Sequence, residues 1–90
     1  MKKINTLEIR AKKWYQRSYG NTYHTVKVVV NNDTILESGI TYGYGKHYLT
    51  TAANLLRDNG YNVPESNQEA YSMMLKYPYE ETEVSRKRDL

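Results

Sequence analysis

The residues best suited to chemistry are a tryptophan and the cations around it. Trp14 is bracketed by Lys12 and Arg17, with Arg10 and Gln16 at alternate positions and Tyr23 and Lys27 in the next extended run. A large ring flanked by lysine and arginine stacks on flat groups and attracts anions, which is how sheet surfaces hold single strands. The alternative is that Trp14 packs beneath a helix and the lysine stems lie along it. A second group, Gly43-Tyr44-Gly45-Lys46-His47, falls between a strand and a helix. Backbone amides at a helix start, together with a lysine, form a candidate anion site. Its spacing departs from a phosphate loop, because five residues separate Gly39 from Gly45 and His47 stands where serine or threonine is required. A turn that needs glycine dihedrals is the simpler reading.

Reactive machinery is not indicated elsewhere. Ser18 and Ser38 lack a nucleophile motif, and the absence of cysteine excludes thiolate catalysis, thiolate zinc sites and disulfides. His24 and His47 show neither HxH nor HxxxH spacing. Arg17, expected opposite His24, would depress that imidazole rather than prime it as an acid. Asp33 falls in a turn, Asp58 near a helix end, and most other acids in the last third. These observations predict a non-enzyme with no metal and no cofactor.

Two extended runs, Leu7–Ser18 and Thr22–Asn31, must position the tryptophan. A two-residue Gly20-Asn21 turn between them predicts a hairpin pairing Arg17 with His24, Tyr15 with Val26, Trp14 with Lys27 and Ala11 with Val30. One face then carries Ile9, Ala11, Tyr15, Val26, Val28 and Val30, with Lys13 the odd member. The other carries Arg10, Lys12, Trp14, Gln16, Tyr23 and Lys27. A helix over residues 6–16 is the competing reading, because Asn5-Thr6-Leu7-Glu8 resembles a capping box. A three-residue Asn31–Asp33 loop leads to a third strand, Thr34–Tyr44, with Leu36, Ile40, Tyr42 and Tyr44 on the valine face. From His47 the period becomes helical through Tyr48, Ala52, Leu55 and Leu56, and Asn59-Gly60 stops it. Ser66 and Glu69 cap a second helix with Ala70, Met73, Met74 and Tyr77 on its apolar side, ended by Pro78.

The predicted fold is α+β: a three-stranded antiparallel meander with two helices packed on one face. The single domain covers residues 1–78, and residues 79–90 form a mobile charged tail. Tyr15, Val26, Val28, Val30, Leu36, Ile40, Tyr42, Ala52, Leu55, Leu56, Met73 and Met74 are the predicted core. Ninety residues suffice for one modest core. No apolar run approaches the roughly 20 residues of a membrane span, and no signal-peptide core follows Met1-Lys2-Lys3, so a soluble, cytoplasmic chain is expected. Net charge is +3, distributed as +5 over residues 1–17, zero over 18–60 and −2 over 61–90. The basic hairpin therefore suits phosphates or an acidic protein surface, or is simply a solvated strand face. Ten tyrosines and no phenylalanine favour rings at wet boundaries.

Two resemblances follow from particular segments. Residues 23–58, with Tyr-His-Thr-Val-Lys-Val-Val-Val, Thr-Ile-Leu-Glu-Ser-Gly and Thr-Thr-Ala-Ala-Asn-Leu-Leu, resemble the last two strands and final helix of a double-stranded-RNA-binding domain. That family's lysine cluster at the helix start is represented here only by Lys46. Trp14-Tyr15-Gln16, Gly20-Asn21-Thr22-Tyr23-His24 and Thr41-Tyr42-Gly43-Tyr44-Gly45 are similar to small uncharacterised accessory proteins of bacteriophages and mobile elements. The latter resemblance implies a binding protein that inhibits or redirects a host macromolecule, such as a defence nuclease. The expected partner is a host protein or nucleoprotein complex, with DNA or RNA bound directly as the alternative and nucleotide sequestration at Gly43–His47 as a third reading. No membrane partner is expected, and a homodimer is left open.

Overall fold

Alternating burial builds two ten-residue antiparallel strands, β1 (Leu7–Gln16) and β2 (Asn21–Val30). The computed structural model describes residues 1–90, and in it the rest of the chain extends this hairpin on both sides. On the β2 side lie β3 (Thr34–Glu37) and β4 (Thr41–Tyr42), both antiparallel to β2. Helix α1 (His47–Asp58) and helix α2 (Asn67–Met74) follow, and β5 (Tyr79–Glu83) returns to pair parallel with β1. The fold is thus α+β with a mixed five-stranded sheet, rather than a three-stranded antiparallel meander.

The hairpin register differs from expectation by an even number. Ala11 faces Val26, Trp14 faces Tyr23 and Gln16 faces Asn21, so Arg17–Gly20 forms a four-residue turn. Gly20 supplies its positive φ of 69° at the last turn position rather than the first of two. Trp14 therefore does not pair with Lys27, nor Arg17 with His24. An even shift keeps every side chain on its expected face, since strand side chains alternate with period two. Leu7, Ile9, Ala11, Val26, Val28 and Val30 are all buried on the inner face. The competing helix over residues 6–16 is absent.

The third strand is broken. β3 keeps Leu36 opposite Val28, as the three-residue loop predicts, but Ser38–Ile40 shifts the register by one residue before Tyr42 meets Tyr23. That single extra residue works as a bulge and reverses the facing of everything after it. Tyr42 is consequently 57% exposed and Ile40 50%, so neither belongs to the core. Tyr15 is also exposed, because the inner face beyond Lys13 runs past the edge of α1's cover.

α1 lays Tyr48, Leu49, Ala52, Ala53 and Leu56 against the inner sheet face, and α2 adds Ala70 and Met74. Tyr61 and Val63, in the connection between the helices, complete one continuous cluster. The Ser66 hydroxyl caps α2 by accepting from the Glu69 amide at 3.5 Å. Leu36, Leu55 and Met73 are half-buried at the cluster's border.

The segment expected as a mobile tail supplies β5. Its docking also accounts for Lys13, which donates at 2.8 Å to Glu81, while the Tyr48 hydroxyl donates to the same carboxylate at 3.3 Å. A lysine among valines and a glutamate in a charged run thus satisfy each other. After β5 the Val84 amide bonds to Lys13, a short turn forms at Lys87–Asp89, and half-buried Leu90 lies on the outer sheet face.

Candidate functional site

The outer sheet face, away from both helices, collects the residues singled out from sequence. Arg10, Lys12, Trp14 and Gln16 alternate along β1, and Tyr23 and Lys27 along β2. Trp14 and Tyr23 stack with centroids 5.9 Å apart and planes at 28°. Tyr42, brought to this face by the bulge, meets Tyr23 edge-on at 5.7 Å. The result is a three-ring row across β1, β2 and β4 that no helix covers. Sequence periodicity missed Tyr42 because it assumed an unbroken strand; Gly39 between the two short strands is the signal for the bulge.

Charges on this face largely cancel. Arg10 bonds to Glu8 at 2.7 Å and approaches Glu80 on β5 at 3.5 Å. Lys27 stands directly across from Glu37 on β3. Lys12 is exposed without an ion-pair partner, and Arg17 projects from the turn rather than from the strand. A hollow of about 340 Å³ between Arg10, Lys12, Lys27 and Glu37 is bordered by Leu90. A larger cleft of about 920 Å³ opens at the hairpin end beside Trp14, Tyr15, Arg17 and Ser85.

The Gly43–His47 turn is occupied by internal contacts. Lys46 donates to the Tyr79 hydroxyl at 3.1 Å and sits over that ring, an arrangement that raises its pKa. Gly43 is buried with the His47 ring so close that a Cβ there would lie 2.5 Å from Cδ2. The Gly43 carbonyl faces Nδ1 of buried His24 at 3.2 Å, and Thr51 Oγ1 lies 2.7 Å from Nε2. A carbonyl only accepts, so Nδ1 carries the proton and Thr51 donates to Nε2. Burial, more than any neighbouring cation, lowers the His24 pKa; His47 and Lys13 add to it, and Gly43 opposes it. The cation facing His24 is Lys13, not Arg17.

No group of three histidine, cysteine or acidic side chains could hold a metal ion. No helix is long and apolar enough to cross a membrane. Comparison with protein-family models, curated proteins and solved structures finds no match to the chain.

Proposed function

We propose that this chain is a non-catalytic, phage-type accessory protein that binds a host protein through the hairpin end of its outer sheet face. The observation that carries this reading is the uncovered Trp14–Tyr23–Tyr42 row on a face whose sheet charges cancel. Rigid aromatic anchors with a mixed-charge rim are the composition of protein-binding hot spots, whereas a phosphate backbone selects a net positive surface. Exposed Tyr19, in the hairpin turn, and Tyr44, just past β4, lie near the same end and add aromatic area beside the row. Such a module would act by occupying its partner, and the resemblance to phage accessory proteins suggests a defence nuclease as one such partner.

The test is affinity capture from bacterial lysate with the wild-type chain and with Trp14→Ala. The expected result is a bound protein that survives nuclease treatment and is lost with the variant, which costs about 2 kcal/mol of binding if Trp14 is an anchor. Loss of the captured species on nuclease treatment would overturn the reading.

A second reading, direct binding of single-stranded nucleic acid, rests on the C-terminal turn. Arg86, Lys87 and Arg88, separated only by Asp89 from the Leu90 that meets the outer face, add cations to the unpaired Lys12 of the sheet. Bases would stack on Trp14 and Tyr23.

A further inference from the structure

We propose that the free edge of β3 pairs with the same edge of a second copy, joining two sheets into one. Residues of even number in β2 turn their backbone groups toward β3: the Ser38 amide bonds to Val26, and Asp33 to Val30. Alternation then leaves Leu36 and Thr34 bonded to β2 and turns the N–H and C=O of Ile35 and Glu37 to the open edge. A two-fold axis at Leu36 places Ile35 opposite Glu37 of the second copy and the reverse, so these groups satisfy one another in four hydrogen bonds. That is the self-complementarity an isologous interface requires.

Side chains agree with this register. On the inner face, half-buried Leu36 meets Leu36 of the second copy, extending the Val28–Leu36 row into a four-residue apolar strip. On the outer face Ile35, 59% exposed, gains the stem of the opposing Glu37, whose carboxylate already has Lys27 across from it. The opposite edge of the sheet is guarded. β5 carries Glu80, Glu81 and Glu83, and antiparallel self-pairing there would bring carboxylates together. β3 has no lysine or proline to discourage pairing. The interface is short, so the dimer is weak, with half-association at about 10–500 µM, in the range of small transient contacts.

Sedimentation velocity of the full chain from about 5 µM to 1 mM tests this, with amide exchange followed over the same range. Association with concentration is expected, together with slowing of the Ile35 and Glu37 amides at least 10-fold. Ile35→Pro removes a donor that the β2–β3 ladder does not use, so it should leave the fold intact and abolish association. A chain that stays monomeric to 1 mM would overturn the proposal. So would a dimer in which Ile35→Pro associates equally, or in which the Ile35 and Glu37 amides still exchange freely. The exchange measurement on the wild-type chain decides the matter even if the proline variant unfolds.

Discussion

His24 shows how one buried side chain ties acid sensitivity to the fold. It is 1% exposed, held by the Gly43 carbonyl and Thr51, with His47 and Lys13 as the titratable groups that face it. Its folded pKa lies below the ordinary 6.5, chiefly through burial. Between that lower value and 6.5 the unfolded chain binds a proton that the folded chain does not, so this contribution is full above 6.5 and declines as pH falls. Thermal melts should therefore lose midpoint temperature below pH 6.5, and His24→Gln should flatten that part of the profile. The same variant should cost about 1–3 kcal/mol at neutral pH through the lost hydrogen bonds and packing. Loss of the slope is the specific signature, because a merely destabilising change would lower the whole curve. The two faces of β1 and β2 give a second residue-scale contrast. Val28→Asp buries a carboxylate at a fully enclosed position and should cost about 3 kcal/mol or more, whereas Lys12→Glu on the exposed face should stay within about 0.5 kcal/mol, as denaturant titration would measure.

At the scale of elements, legibility followed periodicity. The valine face was readable because Val26, Val28 and Val30 alternate, and an error of four in the pairing sum leaves parity unchanged. The α1 boundaries were readable from a 3.6-residue stripe and the Asn59-Gly60 stop. Tyr42 was not, because one bulged residue reverses facing without altering composition. β5 was hidden more deeply. Only Tyr79 in Tyr-Glu-Glu-Thr-Glu packs on the core border, and the contacts that seat the strand are polar ones to residues 68 and 33 positions away in sequence. Lys13 holds the Glu81 pKa below the ordinary 4.5, helped by the Tyr48 hydroxyl, while burial pulls the other way. This support is present above pH 4.5 and is lost as pH falls through the folded value. Protection of the β5-side amide of Ile9, which bonds to Pro78, should drop in acid before that of the β1–β2 ladder. Burial and Glu81 push Tyr48 up to about 12, so the same contact should survive at pH 10. Glu81→Gln should move the acid loss of Ile9 protection to neutral pH, and unchanged protection would show that backbone pairing alone seats β5.

Across the whole molecule, charge and shape point in different directions, and this separates the two partner classes. The first seventeen residues hold six cations against Glu8, which in sequence reads as a phosphate-attracting hairpin. Folding brings acids from remote segments onto that hairpin: Glu80 and Glu81 from β5 and Glu37 from β3. Arg10, Lys13 and Lys27 are thereby neutralised or directly faced by carboxylates, and the aromatic row remains as the dominant feature of the outer face. A single strand bound there would engage chiefly Lys12 and Arg17, with Arg86, Lys87 and Arg88 from the C-terminal turn. If all five contributed, the log–log salt dependence would have a slope near about −3.5, and removing residues 85–90 would reduce it to about −1.4. A protein partner predicts otherwise. Binding should then weaken only gently from about 50 to 300 mM salt, Trp14→Ala and Tyr42→Ala should each cost about 2 kcal/mol, and removal of residues 85–90 should leave affinity within threefold or raise it by uncovering the Arg10–Lys27 hollow. Fluorescence titration of Trp14 with single- and double-stranded oligonucleotides at low salt gives the decisive comparison. No change up to about 100 µM oligonucleotide is the expected outcome, and saturable quenching with the steep slope would transfer this surface to nucleic-acid binding.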